Sequence, residues 1–256
     1  MSRKEYLEKI FKINDFSIKL WYNVLMTREL KELAELFSPY AKLYVVGGAV
    51  RDRLFGLPTD DYDIVSEMRV EQLMILPKIN VELVNKSLGS AKIVYKGKSY
   101  DYTTLRQEVY DKLGKHVPTK VEFVTDPRLD SLRRDFTINA IYYDISADTF
   151  VDFHNGLADI NNRIIRAIPP ADKTMAEDGA RIFRMVRFAL MHDCAIDKET
   201  LTFAQKNIDK INLLSKARIQ KECEKIEKIT KNIKKYEKKS VFYILKQYKI
   251  DIKEKI

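Results

Sequence analysis

The stretch LYVVGGAVRDRLFGLPTDDYDIV, residues 43–65, predicts a strand, a turn, a helix and a second strand. It opens with a short apolar run, turns at Gly47-Gly48, and continues into AVRDRLF, which contains helix-forming residues and no breaker. A loop then leads to a second β-like run that contains Asp61 and Asp63. Because side chains alternate along a strand, these two carboxylates are expected to share one face.

The paired acids and the glycine turn predict a site for a metal ion and a phosphate. Two neighbouring carboxylates repel each other, and a divalent metal relieves that repulsion; Mg²⁺ prefers a few carboxylates together with substrate phosphates. A glycine pair before a helix lets backbone N–H groups face an anion, and Arg51 adds positive charge on the first turn. Either motif alone is usually structural, a plain turn or a solvated acidic edge. Together they favour phosphoryl or nucleotidyl transfer.

These motifs, GGAVRD followed by DYDIV, resemble the head domain of the class II tRNA nucleotidyltransferase and bacterial poly(A) polymerase family, within the polymerase β-like nucleotidyltransferases. The resemblance implies an α/β (α+β) fold, with a small mixed sheet that carries the metal site and an all-helical neck after it. We expect an N-terminal helical extension over residues 1–40, the head over residues 41–168 and the neck over residues 169–256. The phosphate-loop patterns GxxxxGK[ST] and GxGxxG are absent from the sequence.

Composition favours an anionic partner and a reducing compartment. The 256 residues are 32% charged and 45% hydrophobic, an ordinary soluble balance for one large domain or two small ones. The net charge of +9 favours a partner such as RNA, although a high lysine content alone can produce it. Cys194 and Cys223 form no CxxC motif, so reduced thiols are expected. No apolar run approaches membrane-spanning length, and we expect a cytoplasmic protein without a membrane partner.

The segments that flank residues 43–65 complete the predicted head. The helix before it is expected to pack on the domain through residues at helical spacing, namely Leu30, Leu33 and Leu36. After it, a helical stretch is expected to reach about Leu76, followed by a hairpin that turns at Gly97. In the family, the acid that matches Asp101 completes a carboxylate triad with the acids at positions 61 and 63. As a single residue, Asp101 could equally be an acid at a sheet edge.

Residues 106–120 predict a loop where the family has a mobile loop that assists the change from C addition to A addition. The acidic-glycine and paired-arginine residues of the family are absent, and Lys115-His116 stand where the arginines would be. The sequence leaves open whether this loop supports the change.

The run RRDFTINA resembles the family element RRDFTxNA. By that resemblance, Arg134 is expected to contact the nucleoside triphosphate, and Asp135 is expected to bind the sugar hydroxyls, which need a hydrogen-bond acceptor. Without the resemblance, the run is an ordinary basic helix start followed by a strand.

The run EDGARIFRMVRF matches the family pattern EDxxRxxRxxRF position for position. Asp178, Arg181 and Arg184 are three apart and are expected to form one row on a helix, inside which Gly179 is unfavourable and unexplained. An aspartate accepts hydrogen bonds and an arginine donates them, which fits the pairing edges of cytosine and adenine and rejects those of guanine and uracil. Arg184 and Arg187 are expected to support this recognition and to contact phosphate or the primer end. The alternative is an ordinary surface salt bridge.

The run LLSKARIQKECEKIEKI resembles the neck helix of the family, with Ser215 as its N-cap. A helix is expected over residues 216–239, with four lysines in solvent and available to RNA: Lys221, Lys225, Lys228 and Lys235. Before it, the dipeptide His192-Asp193 has no second His-Asp partner and is interpreted as a helix end. The resemblance covers residues 42–228, and the body and tail that follow in the family are expected to be nearly absent.

The resemblance as a whole predicts CCA addition: transfer of C and A from CTP and ATP to the 3′ acceptor end of tRNA, with Mg²⁺ as cofactor. The expected catalytic residues are Asp61, Asp63 and Asp101, the first two as metal ligands. The expected nucleotide-binding residues are Gly47, Gly48, Arg51, Arg134, Asp135, Asp178, Arg181, Arg184 and Arg187. A poly(A) polymerase or a CC-only or A-only enzyme would share these motifs, and a catalytically idle RNA-binding protein is the alternative from another class. The oligomeric state is left open.

Overall fold

A computed structural model describes residues 27–110, 118–231, 233–236 and 239–252, apart from the side chain of residue 235. These residues form two compact units, the first within Met1–Gln107 and Val121–Asn161, the second within Glu108–Lys120 and Asn162–Ile256. The helix predicted at the start of residues 1–40 lies outside the described ranges. In the described ranges, no helix is long and apolar enough to cross a membrane.

A mixed sheet forms the centre of unit 1. The strands of the chain up to this point are β1 (Tyr44–Val46), β2 (Asp63–Ser66), β3 (Asn80–Asn85), β4 (Ser90–Tyr95), β5 (Lys98–Thr104), β6 (Arg106–Val109), β7 (Lys120–Phe123), β8 (Ile141–Asp144) and β9 (Thr149–Asp152). Seven of them form one sheet in the order β3-β4-β5-β2-β1-β8-β9, and β6 pairs with β7 separately. Strands β2 and β5 are parallel while their neighbours are antiparallel, so the mixed sheet expected of the head is confirmed.

Local turn chemistry fixes the hairpin of β4 and β5. Lys96 and Gly97 have φ values of 49° and 78°, the two positive values that a two-residue type I′ turn needs. The hairpin predicted around this turn is therefore confirmed. Buried aromatic and aliphatic side chains from β1, β2 and β8 then pack together as a core cluster, which includes Tyr44, Val46, Val65, Leu105 and Tyr142.

Short helices cover this sheet: α1 (Arg28–Phe37), α2 (Gly48–Leu54), α3 (Pro127–Ser131) and α4 (Gly156–Asn162), with 3₁₀ turns at Gln72–Ile75 and Thr137–Asn139. The buried face of α1 uses Leu30 and Leu33 as predicted, but Phe37 completes it and Leu36 is only half-buried. The helix predicted up to Leu76 is wrong, since only the 3₁₀ turn forms there. Pro77 disfavours helical backbone at the residue before it, and a short 3₁₀ piece is a common connector.

Unit 2 is mainly helical. Its helices are α5 (Ala171–Glu177), α6 (Ala180–His192), α7 (Lys198–Lys206), α8 (Lys216–Thr230) and α9 (Val241–Gln247), with 3₁₀ turns at Ile208–Leu213 and Lys234–Tyr236. Two short parallel strands, β10 (Ile164–Ile165) and β11 (Ala195–Ile196), pair beside them. Helix α6 buries the apolar face predicted for it, and it ends at His192 with Asp193 in a left-handed conformation, as predicted for a helix end.

Two predicted boundaries differ from the structure. Helix α8 ends at Thr230 and does not reach residue 239; the Thr230 hydroxyl donates to the carbonyl of Glu227, a local bond that competes with the helical ladder. The loop predicted over residues 106–120 begins as strand β6, and β7 starts at Lys120. Residues 111–117, with the expected Lys115-His116 pair, lie outside the described residues.

Candidate active site

The predicted metal ligands lie where β2 begins, at the centre of the sheet. Asp61 and Asp63 are exposed while Tyr62 and Ile64 are buried, so the two acids lie on one side of the chain. Asp61 precedes the strand and does not belong to it, which differs from the predicted β run. The parallel pairing of β2 and β5 places Asp101 in register with Asp63. The three acids are therefore neighbours at one position of the sheet.

These acids fit a metal that is completed by substrate oxygens. No group of three or more His, Cys, Asp or Glu side chains in the described parts of the chain lies close enough to hold a metal ion, so the expected triad is not assembled. Desolvation raises the pKa of Asp63, and the charges of Asp61 and Asp101 raise it further, against the opposing effect of Arg134 and Arg51. A bound cation would relieve this cost. Mg²⁺ typically takes one or two protein carboxylates plus substrate phosphates, which matches this donor set.

The glycine turn lies against the acid. Gly47 has φ 75° and ψ −132°, a conformation that residues with a Cβ rarely adopt. A Cβ on Gly47 would lie 3.1 Å from Oδ2 of Asp63 and 3.9 Å from Nη1 of Arg134. The turn, a candidate metal ligand and a candidate phosphate ligand therefore meet at one spot, as the sequence motifs predict.

Buried groups hold Arg134 in place. Its Nη2 atom lies 2.9 Å from Oδ2 of Asp130, and its Nε donates to the hydroxyl of Tyr142 at 3.0 Å. Tyr142 in turn donates to Asp130 at 2.6 Å. Burial alone would raise the pKa of Asp130, but the guanidinium groups of Arg133 and Arg134 outweigh it and keep that pKa well below its usual range. Sequence reasoning missed Asp130 and Tyr142; the i,i+4 spacing of Asp130 and Arg134 was the available signal.

A second network connects Arg51 with Asp135. The Nη1 atom of Arg51 donates to Oδ1 of Asn139 at 2.6 Å, and its Nε donates to Asp52 at 2.8 Å. The side-chain amide of Asn139 then donates to Oδ1 of Asp135 at 2.9 Å. Arg51 and Asp135 are both buried, and Nη2 of Arg51 lies 3.8 Å from the position of a Cβ on Gly48. One carboxylate oxygen of Asp135 is thus used internally, and its role toward a sugar stays a prediction.

In unit 2, the structure corrects the predicted helical row. Asp178 has extended backbone between α5 and α6, and Gly179 is the N-cap of α6, so neither lies inside a helix. A Cβ on Gly179 would lie 2.6 Å from the backbone carbonyl of Lys210. This close approach explains the glycine that propensity alone left unexplained, and it interrupts the helix between the acid and Arg181.

Asp178 and Arg181 are each held by other groups of unit 2. Oδ2 of Asp178 accepts from Nη2 of Arg218 at 2.6 Å, and its Oδ1 accepts from a backbone N–H of α6. Nη1 of Arg181 donates to the carbonyl of Thr174 at 2.6 Å and to Glu177 at 2.9 Å. Arg181 is buried. Both side chains of the predicted base-reading pair are therefore fixed before any nucleotide is considered.

The two further arginines of α6 lie beside Phe188. The guanidinium carbons of Arg184 and Arg187 lie 5.4 Å and 4.3 Å from its ring centre. Arg187 also donates to Glu222 of α8 at 3.0 Å, and Lys225 reaches the other oxygen of Glu222 at 2.7 Å. Lys225 is therefore paired, contrary to the prediction that it stays in solvent, while Lys221 and Lys228 are exposed. The side chain of Lys235 lies outside the described set.

Comparison with known proteins agrees with these features. Residues 43–166 match the family described as "Poly A polymerase head domain". The CCA-adding enzyme of Staphylococcus epidermidis is 35% identical over 185 residues, which cover 72% of this chain and 46% of that protein. The CCA-adding enzyme of Geobacillus stearothermophilus is 36% identical over 183 residues, which cover 72% and 45%.

Solved structures give the same result. The crystal structure of the Bacillus stearothermophilus CCA-adding enzyme in complex with CTP is similar with a TM-score of 0.71 and 32% identity, covering 78% of this chain and 49% of that one. The Thermotoga maritima CCA-adding enzyme complexed with tRNA shares the fold, with a TM-score of 0.65 at 23% identity over 95% and 54% of the two chains.

Fold and sequence together define a polymerase β-like nucleotidyltransferase head. The chain belongs to the class II tRNA nucleotidyltransferase and poly(A) polymerase family. It spans about half the length of the curated relatives it matches.

Proposed function

We propose that this chain is a CCA-adding tRNA nucleotidyltransferase, which transfers C and A from CTP and ATP to the 3′ acceptor end of tRNA. The observation that carries the proposal is the meeting of the Gly47 turn, the Asp63 carboxylate and the Arg134 guanidinium at one spot. The names of the relatives, and the CTP in the Bacillus stearothermophilus complex, support the choice of substrates. The proposal includes a cytoplasmic location and the division into an extension, a head over residues 41–168 and a neck over residues 169–256.

Enzymes of this family generally use divalent metal. We assign Mg²⁺ as that metal, with Asp61 and Asp63 as its ligands and Asp101 beside them. When bound, the metal lowers the pKa of the primer 3′-hydroxyl and stabilises the leaving pyrophosphate. The raised pKa of Asp63 supports this assignment, because a carboxylate whose negative charge is disfavoured gains most from a cation.

The residues of unit 1 bind the triphosphate without rearranging. Arg134 presents a guanidinium that Asp130 and Tyr142 already hold, so no side-chain freedom is lost when a phosphate binds. Gly47 and Gly48 let the phosphates approach the backbone, with Arg51 behind them. Asp135 is assigned to the sugar hydroxyls.

Two residues of unit 2 are assigned to base selection. Asp178 accepts from the exocyclic amino group of cytosine or adenine, and Arg181 donates to the neighbouring ring nitrogen. Arg218 does not prevent this, because each carboxylate oxygen of Asp178 has two lone pairs. Guanine and uracil present a carbonyl and an N–H at these positions, so they would meet an acceptor and a donor of the wrong kind. Arg184 and Arg187 are assigned to supporting this recognition and to the phosphate or primer end.

One assay tests the proposal. The purified protein is incubated with tRNA that lacks its terminal CCA, with Mg²⁺ and each nucleoside triphosphate alone or with CTP and ATP together, and the 3′ ends are sequenced. We expect two added C residues with CTP alone and CCA with both. Long runs of A would indicate a poly(A) polymerase, and addition of C alone or A alone would indicate a partial enzyme. No extension under any condition would contradict the proposal.

A further inference from the structure

The end of helix α2 fixes the start of the loop that leads to Asp61. The N–H of Gly56 donates to the carbonyl of Arg53 at 2.9 Å, and the N–H of Leu57 donates to the carbonyl of Asp52 at 2.8 Å. This pair of bonds is the Schellman motif, which satisfies the last carbonyls of a helix and sets the direction in which the chain leaves it.

Arg53 then ties the middle of the loop to the same helix. Its Nη2 atom donates to the backbone carbonyl of Thr59 at 3.0 Å. The hydroxyl of Thr59 donates to the backbone carbonyl of Asp61 at 3.3 Å. Two successive hydrogen bonds therefore connect α2 with the residue that carries the first proposed metal ligand.

Asp61 needs this connection more than Asp63 does. Asp63 belongs to β2 and is in register with Val46 of β1 and Asp101 of β5, so sheet pairing on both sides fixes its backbone. Asp61 precedes the strand. Its backbone position depends on the loop.

The burial of Arg53 also indicates a positional role. Its Nε atom is buried and has no hydrogen-bond partner among the described residues. Leaving a buried donor unsatisfied is unfavourable by about 1–3 kcal/mol, so an apolar helix-forming residue would be the more stable choice at this position. The contact with Thr59 is what the arginine supplies in return.

We propose that Arg53 is a positioning residue for the metal-binding carboxylate of Asp61 and acts through the backbone of Thr59. The inference rests on the proposed function, since it takes Asp61 as a metal ligand. Helix α2 then serves both parts of the site, with the glycine turn at its start and the metal-ligand loop at its end.

The test measures metal binding directly. Mn²⁺ is titrated into the full chain without nucleotide, and free Mn²⁺ is followed by electron paramagnetic resonance. Losing one hydrogen bond that positions a ligand should weaken binding by about twofold to tenfold, so Arg53→Leu is expected to raise the dissociation constant by that factor. Arg53→Lys keeps a cationic donor and should lie between. In nucleotide addition, the KM for CTP at saturating metal should stay unchanged in both variants.

A matched pair and a control separate positioning from general damage. Thr59→Val removes the hydroxyl that reaches Asp61 and should weaken Mn²⁺ binding in the same direction, while Thr59→Ser keeps the hydroxyl and should restore it. Arg28→Leu removes an exposed arginine that pairs with Glu32 on α1, and it should bind Mn²⁺ as the wild type does.

The outcomes are distinct. If folded Arg53→Leu binds Mn²⁺ as tightly as the wild type while Asp61→Ala loses binding, the positioning role is overturned and the proposed metal site stands. If Asp61→Ala itself binds Mn²⁺ normally, the proposed metal site fails. If Arg53→Leu does not fold, the Thr59 pair decides, and equal Mn²⁺ affinity of Thr59→Val and Thr59→Ser overturns the inference.

Discussion

Replacing Gly47 with alanine tests whether the glycine turn and the acid share one site. At φ 75° and ψ −132°, an alanine is strained, and this strain should lower the free energy of unfolding by about 1–3 kcal/mol. Its Cβ would also lie 3.1 Å from Oδ2 of Asp63, so the carboxylate must give by a few tenths of an ångström. Because a displacement of about 1 Å can lower a rate about 10²-fold, we expect nucleotide addition to fall by about tenfold or more.

Gly97→Ala is the matched control. Gly97 also has positive φ, 78°, but no described atom lies within 4 Å of the position of its Cβ. Both variants should therefore lose stability by a similar amount in urea unfolding, while only Gly47→Ala loses single-turnover activity below the unfolding transition. Equal activity of the two folded variants would refute the contact between the turn and the acid.

Three further perturbations test the charges. Because the folded protein raises the pKa of Asp63, its charged form destabilises the folded state above that pKa, and the effect disappears as the pH falls through it. Asp63→Asn should therefore raise the free energy of unfolding at neutral pH in EDTA but not well below about pH 3.9, and destabilisation at neutral pH would contradict the desolvation. Arg181→Lys keeps a cation beside Glu177 but loses the planar fork, so competition assays should show weaker rejection of GTP and UTP, by about 1–3 kcal/mol for each matched pair that is removed; unchanged selectivity would place base reading elsewhere. Changing Lys221 and Lys228 to Gln should weaken tRNA binding and flatten its salt dependence by up to ~0.9 for each phosphate that the protein no longer neutralises, and an unchanged slope would exclude these lysines.

Features encoded by neighbouring residues could be predicted from the sequence. The hairpin at Gly97 follows from turn chemistry, and the exposed side of Asp61 and Asp63 follows from alternation against buried Tyr62 and Ile64. The buried face of α6 follows from helical spacing. In each case the decisive pattern lies within a few residues of the chain.

Features set by distant backbone could not be predicted in this way. Gly179 is required because the backbone of Lys210 approaches it, and this approach is what takes Asp178 out of the helix. The anchoring of Arg134 by Tyr142 and the Arg51–Asn139 bond, between residues 88 apart, depend on the packed sheet and the helices upon it. Thr230 ends α8 although the lysine and isoleucine pattern continues beyond it.

The most direct test of the central claim is the rate of nucleotide addition by Asp61→Ala and Asp63→Ala in single-turnover assays with tRNA that lacks its CCA end. Losing a metal ligand should slow addition by at least roughly 10³-fold, by analogy with the loss of other groups that stabilise a transition state, while circular dichroism shows an intact fold. Asp60→Ala removes the same charge from the neighbouring exposed residue and should retain activity. Near-normal addition by folded Asp61→Ala or Asp63→Ala would show that these carboxylates are not the metal site.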